Sequence, residues 1–229
     1  PAFTSAPVTG SIQDVQYSYS IFASDPDVGD VIVITATTKP VWLTLTDNGN
    51  GMATLQGTPT NANLGANGVT LRVTDVSGAS VTQVFTINVD NLNDPPSFTS
   101  TPITSVDEDE LYVYNITTTD PDVGDTRTVE ALSIPGWLIL TDNGDGSAVI
   151  QGTPRNGDVG VVSIVISVSD ALGVDVNQNF NITVRNVNDA PGFTSVGVSV
   201  AQQGLLYEYN VVTSDPDAGD TRVITAPTL

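Results

Sequence analysis

A repeat of 95 residues is the feature that most constrains the fold of this chain. The segment PAFTS at Pro1 returns as PSFTS at Pro96 and as PGFTS at Pro191, each time after the same interval. A period of this length corresponds to a whole domain rather than to a small solenoid unit. The third copy contains only the early strands of such a domain. The predicted domains are repeat 1 at 1–95, repeat 2 at 96–190 and a truncated repeat 3 at 191–229.

Apolar and polar residues alternate along short runs within each repeat. In YSYSI, for example, Tyr17, Tyr19 and Ile21 share one face. This alternation, with turn sequences about every ten residues, is typical of half-buried antiparallel strands. The DNGNG and DNGDG motifs lie between two such runs and predict hairpins, and the preceding Trp42 and Trp137 are expected to anchor the core. About 95 residues and seven short strands predict an all-β fold of tandem immunoglobulin-like, Greek-key β-sandwiches, arranged as beads on a string in a rod.

The charge balance restricts the possible partners. The chain has 26 acidic and 6 basic residues, a net charge of −20 and no His. It offers no basic patch for nucleic acid or for an anionic membrane surface. No apolar run reaches transmembrane length, so no membrane insertion is expected in this segment. No Cys is present to form a disulfide. The acidic excess favours cations as partners.

The motif DPDVGD occurs at Asp25–Asp30 and Asp120–Asp125, and it returns as DPDAGD at Asp215–Asp220. A pair of carboxylates can serve a glycosidase, but recurrence in every repeat and the lack of His or Cys argue against catalysis, so no enzyme activity is expected. A polar turn would explain the Pro and Gly but not three acids at fixed spacing. Like charges about 4 Å apart cost roughly 4 kcal/mol at an effective dielectric of about 20.

A cation site explains more of the motif. Ca²⁺ takes six to eight oxygen ligands, which suits this composition. Arg127 and Arg222 follow the motif and could relieve part of the repulsion, but the equivalent residue in repeat 1 is Ile32. One loop cannot supply every ligand, so other oxygen-rich segments should converge on it. The candidates are the junctions DNLNDPP and RNVNDAP and the strand-end aspartates Asp75 and Asp170.

These motifs together resemble those of cadherin repeats. VDNLNDPPSF and VRNVNDAPGF resemble the cadherin junction, SDPDVGD resembles the cadherin Asp-x-Asp loop, and Asp75 and Asp170 match its later Asp. The segment from WL through DNGNG to GTP is more similar to bacterial and dystroglycan-type cadherin-like repeats. The resemblance covers the whole chain and implies a large surface or extracellular protein with Ca²⁺ between successive repeats.

The resemblance also implies which residues bind the metal. For the first junction they are Asn91, Asn93, Asp94, Asp120, Asp122 and Asp170, with Asp125 as a ligand or a loop hydrogen-bonding group. For the second they are Asn186, Asn188, Asp189, Asp215 and Asp217, with Asp220 in the same position as Asp125. Repeat 1 keeps Asp25, Asp27 and Asp75.

Some positions depart from the cadherin pattern. Asn91 and Asn186 stand where cadherins have the first junction Asp, and QGTP replaces an acidic segment. Glu108 corresponds to an early-strand Glu of the family, whereas Gln13 and Gln203 occupy that position in the other repeats. Fewer charged ligands imply fewer ions per junction and weaker binding than in cadherins.

The sequence predicts a structural or adhesive repeat array, a calcium-stiffened rod or fibre segment of a longer bacterial protein located outside the cell or on its surface. Its expected partners are calcium, neighbouring repeats, other copies in a fibre, and a glycan or cell-surface molecule. The alternative is a carbohydrate- or protein-binding module of a secreted multidomain protein. The low aromatic content, 6%, favours the first hypothesis.

Overall fold

The computed structural model describes residues 1–226. Contacts divide the chain into two compact units, of which the first comprises Pro1–Asp94 with Pro121–Val123 and the second Pro95–Asp120 with Gly124 onward. Across the described part, the helical elements are two single turns of 3-10 helix, Asn61–Asn63 and Asn156–Asp158. No helix among these residues has the length and apolarity needed to cross a membrane.

Repeat 1 folds as a sandwich of two four-stranded sheets, with strand orders β1-β3-β6-β5 and β2-β8-β7-β4. The strands are β1 (Ala2–Phe3), β2 (Gly10–Ile12), β3 (Tyr17–Ser24), β4 (Val33–Thr38), β5 (Leu43–Gly49), β6 (Met52–Gly57), β7 (Gly65–Thr74) and β8 (Ser80–Asp90). The fold is the predicted immunoglobulin-like sandwich.

Repeat 2 has the same architecture, with strand orders β9-β11-β14-β13 and β10-β16-β15-β12. Its strands are β9 (Ser97–Phe98), β10 (Ser105–Asp107), β11 (Tyr112–Thr119), β12 (Thr128–Ser133), β13 (Leu138–Asp142), β14 (Ser147–Gly152), β15 (Gly160–Ser169) and β16 (Asp175–Arg185). In the described part of the third copy, β17 (Gly192–Phe193) pairs with β18 (Thr213–Ser214). The last three residues of the predicted truncated repeat lie outside the described residues.

Each complete repeat has eight strands instead of the expected seven because its first strand is split between the two sheets. In repeat 1, β1 pairs antiparallel with β3, whereas β2 pairs in parallel with β8. Pro7 lies between β1 and β2, and Pro102 lies between β9 and β10. A proline has no N–H to donate to a ladder, so the strand is interrupted there and its continuation joins the opposite sheet.

The predicted alternation is confirmed by burial. Tyr17, Tyr19 and Ile21 are buried in β3, and the residues between them are exposed. Each sandwich has its own core of buried residues, against which Trp42 or Trp137 packs as a partly buried side chain. These tryptophans contact Tyr17 and Tyr112 edge-to-face, with ring centroids 5.9 and 6.1 Å apart. The prediction that the tryptophans anchor the core is therefore confirmed.

The DNGNG hairpin is also confirmed. Asn50 has a φ of 54° between β5 and β6, flanked by Gly49 and Gly51 at 76° and 72°. Gly57, in the following QGTP motif, has a different role, because a Cβ there would clash with the carbonyl of Trp42. The same clash would arise between Gly152 and Trp137. The glycine of QGTP therefore permits a close backbone approach to the tryptophan.

Candidate cation site

The acidic motif forms a tight loop after β3, β11 and β18. Its glycine has a φ of 95° in the first copy, 93° in the second and 96° in the third, which is the left-handed region that glycine adopts without strain. The backbone N–H of Asp27 donates to Asp25 Oδ1 at 2.9 Å, and that of Asp217 donates to Asp215 Oδ1 at 3.1 Å. All three copies thus share the glycine conformation, and the Asx-type hydrogen bond is typical of Asp in turns of this kind.

The loops bring carboxylates together. In each of three groups, one oxygen per residue lies within 4.8 Å of the others; the groups are Asp25, Asp27 and Asp30; Asp120, Asp125 and Asp170; and Asp215, Asp217 and Asp220. The second group includes Asp170 from the end of β15, as the sequence suggested. Three carboxylates at this spacing can coordinate a hard cation such as Ca²⁺.

The strand-end aspartates also shape the neighbouring turn. Asp75 Oδ1 accepts hydrogen bonds from the backbone N–H groups of Ser77 and Ala79, at 2.9 and 2.8 Å. Asp170 Oδ1 accepts the equivalent bonds from Leu172 and Val174, at 2.9 and 2.8 Å. One oxygen of each carboxylate therefore stabilises the turn and holds the side chain at the end of the sandwich where β7 or β15 ends.

The pKa values in the first loop reflect its crowding. The pKa of Asp30 is raised above its ordinary value, first by desolvation and then by the charges of Asp25, Asp27 and Asp75. The pKa of Asp25 is lowered, first by its hydrogen bond to the α-amino group of Pro1, which lies 2.8 Å from Asp25 Oδ2. The ionised form of Asp30 is thus disfavoured by burial and by the neighbouring carboxylates.

The junction segments contact the acidic loops through a repeated hydrogen bond. The backbone N–H of Asp94 donates to Asp122 Oδ2 at 2.8 Å, and the backbone N–H of Asp189 donates to Asp217 Oδ2 at 2.6 Å. Asn93 and Asn188 donate their amides to the carbonyls of the aspartates that follow them, at 3.4 and 3.1 Å. In both copies, a junction aspartate and the middle aspartate of the loop are therefore direct neighbours.

Other predicted residues are placed differently. Asn91 and Asn186 are exposed. Arg127 donates to Thr118 Oγ1 at 3.0 Å and to the Asp125 carbonyl at 3.5 Å.

Several carboxylate oxygens are buried without a hydrogen-bond donor. Asp125 Oδ2, Asp217 Oδ1 and Glu108 Oε2 all have this property within the described residues. The side chains of Asp217 and Glu108 are only 5% and 2% exposed. A buried anionic oxygen without a partner is costly, whereas a divalent cation would satisfy it. The donor set consists of oxygen atoms and fits Ca²⁺ in type.

Sequence reasoning missed the asparagines that hold the junction aspartates. Asn61 donates to Asp94 Oδ2 at 2.7 Å, and Asn156 donates to Asp189 Oδ2 at 2.5 Å. Their separation by one repeat period was the available signal. It was weak because asparagine is common in turns and nothing in the sequence connects these residues with the junction.

The fold and this site define a pair of tandem immunoglobulin-like, cadherin-like repeats. The family model described as "Putative Ig domain" matches residues 1–90 and again residues 95–185. The chain belongs to this family of immunoglobulin-like domains, in two successive copies.

The chain is similar to known proteins in sequence and in fold. The chain is 28% identical over 224 residues to "Serine-rich adhesin for platelets" from Staphylococcus aureus strain MSSA476, a match covering 86% of this chain and 9% of the relative. The chain thus spans about a tenth of the length of the curated relatives it matches. Its fold is similar to protocadherin gamma B2 extracellular cadherin domains 1–5, with a TM-score of 0.62, 20% identity and coverage of 96% of this chain and 46% of that one. Domains 3–6 of the same protein give a TM-score of 0.60, 18% identity and coverage of 96% and 56%.

Proposed function

We propose that this chain is a segment of an extracellular, adhesin-type surface protein, in which Ca²⁺ bound at the repeat junctions stiffens the array. The adhesin part of the proposal is supported by the sequence similarity to the staphylococcal adhesins. The calcium part rests on the chemistry of the acidic loops. The repeats would hold an adhesive region elsewhere in the protein at a distance from the cell, and bound calcium would determine the stiffness of the repeat array.

One observation carries the calcium proposal. Three carboxylate oxygens converge to within 4.8 Å at each copy of the loop, all three from the loop in the first and third copies and two from the loop with one from Asp170 in the second. In two copies, the middle aspartate also accepts a hydrogen bond from the backbone N–H of the junction aspartate. A solvated turn has no need to keep three like charges so close, and the conformation repeats although the surrounding sequence varies. A cation would offset this repulsion.

The proposed mechanism couples ion binding to stiffness. Ca²⁺ would bind the loop carboxylates together with oxygens of the junction segment, and this would restrict the backbone that connects successive repeats. Without the ion, the carboxylates would repel one another and the connection would be freer to bend. The junctions have mixed Asn and Asp ligands, so an affinity in the range of extracellular modules is expected, about 10⁻⁴ to 10⁻³ M.

Small-angle X-ray scattering of the 229-residue chain in Ca²⁺ and in EDTA tests this function. We expect a longer maximum dimension and a narrower distance distribution in Ca²⁺. Asp122→Asn should weaken the response, whereas Asp175→Asn provides a control because it removes one exposed charge outside the loops. Identical scattering curves in Ca²⁺ and EDTA would rule out calcium stiffening. Saturable glycan binding by a single repeat would instead support the binding-module alternative.

A further inference from the structure

One buried position differs in charge between the two complete repeats. Gln13 follows β2 and is 1% exposed, and Glu108 follows β10 and is 2% exposed. Their backbones are held in the same way, because Gln13 N donates to the Asp90 carbonyl and Glu108 N donates to the Arg185 carbonyl, both at 3.0 Å. The two side chains therefore begin at equivalent places, next to the junction that follows their own repeat.

In repeat 1, the amide of Gln13 connects two carboxylates. Its Nε2 donates to Asp94 Oδ2 at 2.8 Å and to Asp14 Oδ2 at 3.2 Å. Asn61 donates to the same oxygen of Asp94 at 2.7 Å. Asp94 Oδ2 thus receives two neutral donors from its own repeat. These amide hydrogens supply the positive partial charge that a cation would otherwise supply.

In repeat 2, Glu108 stands at the position of Gln13, and its carboxylate cannot donate the hydrogen bonds that the Gln13 amide makes. Glu108 Oε1 accepts a hydrogen bond from the backbone N–H of Val187 at 2.6 Å, but Oε2 is buried without a hydrogen-bond partner. Gln13 Oε1 is also buried without a partner, but it belongs to a neutral amide, for which such burial costs less than for a carboxylate. Asp189 retains its bond from Asn156. An ionised carboxylate donates no hydrogen bond, so Glu108 cannot reproduce the link that Gln13 makes to Asp94.

The nearby arginines do not neutralise Glu108. Arg155 Nη1 pairs with Asp109 Oδ1 at 2.5 Å, and Arg185 Nε pairs with Asp107 Oδ1 at 2.5 Å. In repeat 1, Thr60 occupies the position of Arg155, and Asp14, the equivalent of Asp109, accepts a hydrogen bond from Gln13 instead. The change from Gln to Glu is therefore accompanied by an arginine that pairs with Asp109, and Glu108 Oε2 has no hydrogen-bond donor.

We propose that this position determines how each repeat closes its following junction. A glutamine closes it with side-chain hydrogen bonds, whereas a glutamate requires a divalent cation, for which Glu108 is a ligand. The inference rests on the proposed calcium function and makes the two junctions unequal. The junction after repeat 1 keeps part of its order without calcium, and the junction after repeat 2 depends on calcium.

Reciprocal substitutions in the 229-residue chain test the proposal. Ca²⁺ binding is measured by titration calorimetry, and hydrogen exchange is followed separately at residues 90–95 and 185–190. Glu108→Gln should weaken calcium binding at the second junction by about tenfold, because the number of charged ligands tunes affinity. It should also reduce the dependence of exchange at 185–190 on calcium. Glu110→Gln is the matched control, since Glu110 is an exposed residue of the same repeat.

The converse substitution acts at the first junction. Gln13→Glu should lower the Tm of repeat 1 in EDTA, and Ca²⁺ should restore it and strengthen binding. Gln16→Glu adds the same charge at an exposed position and should change neither the Tm in EDTA nor the binding of Ca²⁺. If Gln13→Glu does not fold, Glu108→Gln still decides the matter.

The outcomes separate this inference from the function on which it rests. If the unmodified chain binds no Ca²⁺ at about 10 mM, well above the expected range, both are wrong. If it binds Ca²⁺ but Glu108→Gln behaves like Glu110→Gln, the calcium function stands and the role of Glu108 is overturned. A selective loss at 185–190 with Glu108→Gln supports the inference.

Discussion

Gly57→Ala tests the interpretation of the QGTP motif. Gly57 ends β6 and pairs with Tyr17 and Leu43, so strands flank it on both sides. A Cβ at this position would overlap the Trp42 carbonyl oxygen and lie 3.0 Å from its carbonyl carbon. Backbone atoms cannot rotate away as the end of a flexible side chain can. Strand β6 or the Trp42 segment must therefore shift.

The expected cost follows from two opposing effects. Replacing Gly by Ala reduces the entropy of the unfolded chain and, at a compatible site, stabilises by about 0.4–1 kcal/mol. Overpacking of a well-packed interior costs typically about 1–3 kcal/mol. Because the overlap involves backbone, we expect the upper part of that range and a net loss of about 2 kcal/mol. For a domain of this size, the Tm of repeat 1 should fall by roughly 10 °C.

Thermal unfolding combined with hydrogen exchange measures this effect, because peptides from repeats 1 and 2 report separately. Gly68→Ala is the control, as a Cβ there meets nothing within 4 Å. We expect Gly68→Ala to leave repeat 1 unchanged or slightly more stable. Equal stability of the two variants would refute the close-approach explanation. The same experiment on Gly152→Ala should destabilise repeat 2.

Three further predictions concern the core and the acidic loops. Trp42 Nε1 donates to Asn67 Oδ1 at 3.1 Å, but Trp137 Nε1 is buried without a hydrogen-bond partner, and Val162 stands at the position equivalent to Asn67. Val162→Asn should therefore increase the free energy of unfolding of repeat 2 by about 1 kcal/mol, measured by urea unfolding, and no increase would contradict this prediction. Because the pKa of Asp30 is raised, its ionised form disfavours folding above that pKa. Asp30→Asn should therefore raise the Tm in EDTA at pH 7 and reduce the increase in Tm that Ca²⁺ produces. A lower Tm of this variant in EDTA would contradict the prediction. For a dissociation constant of about 10⁻³ M, about 10 mM Ca²⁺ should stabilise a repeat by about 1.4 kcal/mol, measured as a Tm increase that Mg²⁺ does not match.

The fold was largely predictable because its signals are local and repeated. Alternation in β3, β7 and β8 identified inward-facing residues, and Asn-Gly sequences identified the hairpin. The split of the first strand was not predicted. Pro7 marks an interruption, but the sequence does not show that β2 continues in parallel on the other sheet, since that pairing depends on strand β8, far away in the chain.

The candidate site was predictable in its acids but not in their partners. Repetition drew attention to Asp120 and Asp170, which the structure brings into one group with Asp125. The amide donors Asn61 and Gln13 act across 33 and 81 residues on Asp94. These contacts arise because loops that are far apart in the sequence pack at the same end of the sandwich, and a local sequence motif does not reveal them. The assignment of the acids as calcium ligands stays a prediction.

Diffraction at a wavelength with a measurable calcium anomalous signal tests the central claim most directly, using crystals of the 229-residue chain grown in Ca²⁺. We predict an anomalous peak at the acidic loop of each junction, with carboxylate oxygens of Asp120 and Asp125, or of Asp215 and Asp217, at about 2.3–2.6 Å. Ordered loops at saturating Ca²⁺ without such a peak would contradict the account, because the convergence of the acids would then need no cation.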